Sequence, residues 1–326
     1  MISFRYFSLG RHAMKVALQL AGVKSGDVVM LPGFICRDLI SSITTLGART
    51  VFYDVDKKLN PITLDRSVLP RAIIAVNYFG FPQALEPFKA FSADTGAIII
   101  EDNAHGFLSQ DTQGSKLGQR TAFGMTSFRK TLHVLDGATL AITQSTNQST
   151  GQIKIPEQIP YQTKTNGLRT DLTRAFTAIE RKTGIPTLHL AQAGSRFIRV
   201  VRKGSALPIS DQSSEYQIPG IANPNQSSIK RMLAVDAEAE IERRRSLYSK
   251  LLPEVIGCGV EPIFDALPIG TCPYGLAFYA SPKFKRGLAQ LSRRYCVTLM
   301  SWPDLPQEIA QSAPDHYRQV RLINFR

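Results

Sequence analysis

The sequence predicts an α/β protein: a large domain on a mostly parallel sheet, followed by a smaller α+β C-terminal domain. Three observations lead there. Between residues 9 and 140, apolar runs of strand length alternate with segments of helical spacing, the pattern of strands wound with crossover helices. Each apparent strand delivers glycine or polar residues at its C-terminal end, where open α/β sheets bind ligands. Beyond residue 222, a long helical pattern precedes short strands separated by a further helix. At 326 residues the chain can bury more than one core. Boundaries are expected at 1–145 for the large domain, 146–222 for a basic helical insert or linker, and 223–326 for the small domain.

Taken in order, Gly10-Arg11-His12-Ala13 opens a helix whose Ala13, Val16, Ala17 and Leu20 share one face, stopped by Gly22 and a Lys24–Asp27 turn. Val28–Leu31 is a buried strand broken by Pro32-Gly33, and Leu39–Leu46 a short helix. Strands follow at Thr50–Tyr53 and Ala72–Val76, a helix at Ala84–Ala93, and a strand at Ala97–Ile100. In the second half, Ile229–Leu252 reads as one strong helix. Val260–Phe264, Gly275–Ala280 and Val297–Leu299 read as strands, with a helix over Pro282–Arg294.

The middle segment differs. Leu168–Thr183 and Thr187–Val201 have helical spacing, and Ser205–Gln226 has the composition of a domain crossing. Ten Lys/Arg stand against three Asp/Glu between Lys154 and Lys203, which accounts for seven of the net +13. A solvated helix pair explains this surplus. An anion-facing or membrane-surface patch is the alternative, since Arg196, Arg199, Arg202 and Lys203 alternate with Phe197, Ile198 and Val200.

The bulk composition excludes several classes. With 43% apolar and 20% charged residues the chain is ordinary globular protein, and no run of 18 apolar residues occurs. No GxGxxG follows an early strand and no P-loop is present, which argues against a dinucleotide or P-loop enzyme. No zinc-finger spacing or aromatic-interleaved basic motif points to nucleic acid. The four cysteines show no CxxC pairing, so reduced thiols, no metal and a cytoplasmic setting are expected. The acid-poor first 26 residues are needed for a structural helix and are not read as a targeting segment.

Chemistry concentrates between Glu101 and Gly137. Four apolar residues lead into Glu101-Asp102-Asn103-Ala104-His105-Gly106, and Ser127-Phe128-Arg129-Lys130 precedes Asp136-Gly137-Ala138. Asp102 at a strand exit is either a helix N-cap or a carboxylate facing a cleft. Lys130 alone would be a solvated charge. Together, a carboxylate to keep a ring nitrogen protonated, a hydroxyl to meet a phosphate and a lysine to bond an aldehyde are what pyridoxal phosphate chemistry requires.

In order and context these residues resemble the DegT/DnrJ/EryC1/StrS family of fold type I, aspartate-aminotransferase-like enzymes. The match covers about Gly10–Ile142 well and Asn223–Pro303 loosely. The resemblance implies that Lys130 is the covalent lysine, Asp102 the partner of the ring nitrogen, His105 a neighbour of the ring hydroxyl and Ser127 a phosphate ligand. Arg11 and His12 fall in the family's Gly-Thr-Ala-Ala helix opening, at a helix N-terminus suited to phosphate. Cys36 stands where the family often stacks an aromatic on the ring, with Phe34 as a substitute. Asn223 overlays an asparagine that reaches the partner subunit's phosphate.

Two departures are visible: the Ser127-to-Lys130 spacing is two residues short, and Asp136 and Ala138 replace Glu and Gly. The implied activity is transfer of an amino group from a donor such as glutamate to a nucleotide-linked keto sugar, by a homodimer. Pyridoxal phosphate chemistry of another class, or a non-catalytic binding protein on the same fold, are the rivals.

Overall fold

A computed structural model describes residues 1–143, 156–163, 212–280 and 297–325, with isolated positions between 172 and 183 and between 291 and 295. The basic segment, the two helices expected within it and the helix over 282–294 fall outside the described residues apart from those positions.

The N-terminal half is a seven-stranded sheet ordered β1-β7-β6-β5-β4-β2-β3. Its strands are β1 (Ile2–Phe7), β2 (Val28–Pro32), β3 (Arg49–Tyr53), β4 (Ala72–Val76), β5 (Ile98–Asn103), β6 (Phe123–Thr126) and β7 (Ala138–Thr143). From β3 across to β6 the neighbours are parallel, and β7 is antiparallel to both β6 and β1. Helices α1 (Gly10–Leu20), α2 (Ser41–Thr44) and α3 (Glu86–Thr95) connect the early strands. The buried face of α1 is Ala13, Met14, Ala17 and Leu18, rotated from the face expected; Val16 and Leu20 lie at its margin.

Three differences from the sequence reading bear on the site. β5 does not end at Ile100 but runs to Asn103, so Asp102 lies inside the strand. The polar residues extend it because each is satisfied: the Asp102 carbonyl accepts the Asn77 N–H at 2.9 Å, and Glu101 is fully buried against Arg120. β1, unexpected before α1, pairs with β7 in register Ile2↔Thr143 through Phe7↔Ala138. The turn between β6 and β7 carries α4 (Phe128–Thr131) and then Gly137 at φ +135°, where a Cβ would lie 2.0 Å from the Phe128 ring. Only glycine fits that contact.

In the C-terminal half, the single expected helix is two, α5 (Gln226–Leu233) and α6 (Ala237–Gly257). Asp236 breaks them: its carboxylate caps α6 by accepting the Ala239 N–H at 3.0 Å. A four-stranded antiparallel sheet follows, ordered β10-β11-β9-β8, from β8 (Glu261–Pro262), β9 (Gly275–Tyr279), β10 (Thr298–Ser301) and β11 (Val320–Asn324). Short helices α7 (Gln307–Ala310) and α8 (Asp315–Gln319) precede β11, the central strand that sequence reading missed.

One apolar cluster runs from Phe7 to Phe325 through both sheets. Its seam is aromatic: Phe34 lies 5.1 Å from both Trp302 and Tyr317 and 5.6 Å from Tyr78, ring centre to ring centre. Such pairs add about 0.5–1.5 kcal/mol each beyond their buried area. The two halves are thereby packed across the C-terminal ends of β2 and β4.

Candidate active site

A cavity of about 260 Å³ opens at this seam. Its floor comes from the exits of β2, β4 and β5 and from the start of α1, and its far wall is Tyr274, Met300 and Trp302 of the C-terminal sheet. This is the strand-end crevice expected of a doubly wound sheet.

Lys130 reaches the cavity from α4, a single turn set by the Lys130 N–H on the Ser127 carbonyl at 3.0 Å and the Leu132 N–H on the Phe128 carbonyl at 2.7 Å. Ser127 and Lys130 both line the cleft despite their short spacing, because the turn starts directly at the end of β6. The Lys130 Nζ lies 3.3 Å from His105 Nε2. A lysine ammonium can only donate, so this pair needs an unprotonated Nε2. The surroundings supply that: burial first, and then the Lys130 charge, push His105 well below its usual range.

The imidazole is held flat. Tyr274 stacks on one ring contact at 4.4 Å and 6° and Phe79 on another at 5.6 Å and 4°, while Trp302 meets it edge-on at 5.2 Å. His105 is 4% exposed. Beside it, the Asp102 Oδ1 accepts the Ala104 N–H at 2.9 Å. Burial raises the Asp102 carboxyl, against the opposing pull of Lys130 and of that N–H.

Behind Asp102, the neighbouring Glu101 anchors a buried network. It accepts Arg120 Nε at 3.0 Å, Arg120 Nη2 at 2.9 Å, the backbone N–H groups of Gly118 and Arg120, and Asn77 Nδ2 at 3.0 Å. Asn77 also lines the cleft. Successive strand residues point to opposite faces, so Glu101 secures the strand while Asp102 faces the cavity.

The opposite end of the cleft is basic. Gly10 and Arg11 begin α1, where the first backbone N–H groups lack intrahelical partners. Arg11 Nη1 and Arg129 Nε are buried with no hydrogen-bond partner. Burial lowers the Arg11 guanidinium, Asp38 at 3.6 Å opposes that, and Arg129 adds to it. Two buried guanidinium nitrogens without a partner, beside Ser127 and a helix N-terminus, fit an anion such as phosphate. With Asp102 and Lys130 at the other end, the residues present fit pyridoxal phosphate. Arg11, Arg129 and Ser127 would hold its phosphate, Asp102 its ring nitrogen and Lys130 its aldehyde carbon.

Three expected residues stand outside the cavity. Phe34 is fully buried in the aromatic seam, where its ring is covered on all sides; Cys36 takes the cleft position. His12 turns away along α1 toward the backbone of Pro219. Asn223 donates to the Pro160 carbonyl at 2.8 Å and lies outside its own chain's cleft. Sequence reasoning missed Tyr274, Met300 and Arg129. Arg129 had a signal in its adjacency to Lys130; the other two are placed only by docking of the second sheet.

Residues 7–150 match the DegT/DnrJ/EryC1/StrS aminotransferase family. The chain is 33% identical over 125 residues to the 3-amino-5-hydroxybenzoate synthase of Amycolatopsis mediterranei, 37% of this chain and 32% of that protein. It is 32% identical over 103 residues to the UDP-2-acetamido-2-deoxy-3-oxo-D-glucuronate aminotransferase of Pseudomonas aeruginosa, 30% of this chain and 29% of that protein. These matches thus span about a third of the relatives' own length. A solved DegT DnrJ EryC1 StrS aminotransferase from Brucella abortus superposes with a TM-score of 0.60 at 16% identity, over 98% of this chain and 80% of that one. The superposition shows a shared fold, that of fold type I enzymes. Over residues 7–150 the chain is thus similar to the DegT/DnrJ/EryC1/StrS aminotransferase family.

Proposed function

We propose that this chain is a pyridoxal phosphate-dependent aminotransferase that moves an amino group from a donor such as glutamate to a keto sugar carried on a nucleotide. The observation that carries the reading is one cleft holding Lys130 against an uncharged His105, with Asp102 at one end and, at the other, Arg11 and Arg129, each with one buried guanidinium nitrogen that no hydrogen bond uses. The acceptor class rests on the name of the Pseudomonas relative and on the basic balance of the chain, which suits phosphate-bearing substrates. A homodimer, a cytoplasmic setting and peripheral membrane contact through the basic segment belong to the same proposal.

When bound, pyridoxal phosphate would supply an electron sink for the carbanion formed at the donor's α-carbon. The chain's residues do the rest. Asp102, its charge desolvated, would hold the ring nitrogen protonated through a charge-assisted bond. Lys130 Nζ is the base that takes the α-proton and the acid that returns it. His105 Nε2 accepts an N–H of Lys130 and orients the amine. Tyr274 and Trp302 cover the site and exclude water.

The test is incubation with pyridoxal phosphate, borohydride reduction and peptide mapping, then amine-product analysis with glutamate and nucleotide-linked keto sugars. A reduced adduct on Lys130 that is absent from Lys130→Ala, together with amino-sugar product, is expected. No adduct on Lys130, or wild-type turnover in Lys130→Ala, overturns the reading. An adduct without an amine product would point to another reaction class.

A further inference from the structure

Arg244 lies in the middle of α6, fully buried, and its guanidinium donates four hydrogen bonds. Its Nε donates to Glu240 Oε1 at 2.7 Å, one helical turn earlier. Its Nη2 donates to the Thr131 carbonyl at 3.0 Å, and its Nη1 to the carbonyls of Pro273 at 3.2 Å and Tyr274 at 3.3 Å. Thr131 adjoins Lys130 in the same turn, and Tyr274 is the ring stacked on His105. One guanidinium therefore grips both backbones that carry the Lys130–His105 contact, from opposite sides.

Burying a charge is costly unless its geometry is fixed and its donors are used. A leucine or methionine at 244 would fill the space without that cost, so packing alone does not account for an arginine. Arginine's planar fork can address carbonyls on two separate segments at once, which lysine's point charge cannot. Other contacts stiffen the Tyr274 side. The Tyr274 N–H bonds the Phe79 carbonyl at 2.8 Å, and its hydroxyl accepts Asn324 Nδ2 at 2.8 Å. Phe79, also stacked on His105, sits at φ +54°, a conformation that costs a phenylalanine energy and persists only when surroundings impose it.

We propose that Arg244 is a positioning residue: by bridging the Lys130 turn to the Pro273-Tyr274 segment that leads into β9, it fixes His105 Nε2 against Lys130 Nζ. The α6 helix and the C-terminal sheet are then part of the reactive lysine's machinery. The inference rests on the aminotransferase reading for the use of that lysine, but its test does not. Lys130 is the charged group facing His105 among the described residues; the rings of Phe79, Tyr274 and Trp302 cover the remainder. Asp102 and Cys36 face Lys130 from the β5 and β2 exits.

The experiment follows the His105 ring signals by NMR against pH in the full chain without added cofactor, assigned with His105→Gln. Two variants perturb the bridge. Arg244→Met with Glu240→Gln removes the buried guanidinium together with its carboxylate and leaves half-buried Arg243 on the Phe325 carbonyl at 2.9 Å; Tyr274→Leu removes the stacking ring and leaves Arg244. Wild-type His105 is expected to titrate well below its ordinary range. In both folded variants its midpoint should rise toward 6.5, and capture of pyridoxal phosphate at Lys130 should slow at least tenfold. A His105 midpoint unchanged in the charge-free bridge variant, with the fold intact, overturns the inference. Failure of the aminotransferase reading is separate: the wild type itself would then form no Lys130 adduct.

Discussion

Arg120→Met should be among the most damaging substitutions outside the cleft. The Arg120 side chain is 10% exposed and Glu101 is fully buried, and two of the five bonds that Glu101 accepts come from this guanidinium. Removing one partner of a buried pair costs about 3–5 kcal/mol because the remaining charge is left in the interior. Three N–H donors survive, from Gly118, the residue-120 backbone and Asn77, which places the expected loss at the lower end, about 3 kcal/mol. At about 2–4 °C per kcal/mol for a large domain, the thermal midpoint should fall by roughly 6–12 °C.

The assay is urea unfolding followed by tryptophan fluorescence, since the one tryptophan, Trp302, lies in the seam. Glu101→Gln combined with Arg120→Met should recover more than half of the loss, because neither charge is then buried alone. A single-variant cost below about 1 kcal/mol, or a double variant no better than the single, would refute the argument that this pair anchors β5 beneath Asp102.

Other outcomes follow from the same geometry. Gly137→Ala must place a methyl 2.0 Å from the Phe128 ring at φ +135°, so denaturant unfolding should show a loss of about 3 kcal/mol or more. Asp102→Asn exchanges a charge-assisted bond for a neutral one, a difference of about 1.5 kcal/mol, so pyridoxal phosphate should bind about tenfold more weakly in a spectral titration. Unchanged affinity would mean that the carboxylate does not meet the ring nitrogen. His105 has a folded basicity below its unfolded value of 6.5. The unfolded chain therefore binds a proton that the native chain does not, and stability is full above pH 6.5 and lost as pH falls below it, by about 1.4 kcal/mol per unit. His105→Gln should flatten that slope in unfolding measured between pH 6.5 and 5.

The chemistry of the site was legible wherever it depended on residues near one another in the chain. Asp102 and His105 are three apart, and Ser127 and Lys130 are also three apart; the strand-to-turn geometry carries each pair into the cavity together. The helix opening at Gly10-Arg11 was legible because an N-terminus exposes N–H groups whatever its side chains. Phe34 was misplaced because the sequence shows an aromatic near the ring position but not which side of the chain is solvent-free; the seam of Tyr78, Trp302 and Tyr317 claimed it. β5 was cut short at Ile100 because Glu101 and Asn103 look like strand-ending polar residues until Arg120, Gly106 and Leu117 are seen to satisfy them.

By itself, then, the sequence determined the mostly parallel character of the large sheet, the strand ends at which a ligand would sit, and the acid, hydroxyl and lysine that face it. Local periodicity and short-range spacing carry that information. The tertiary structure decided what surrounds the lysine: the stack of Phe79 and Tyr274 on His105, the wall of Met300 and Trp302, and the reach of Arg244 to both sides of the contact. Those partners lie 25 to more than 170 residues from Lys130 in the chain, and no local pattern encodes a contact whose geometry is set by how two sheets pack.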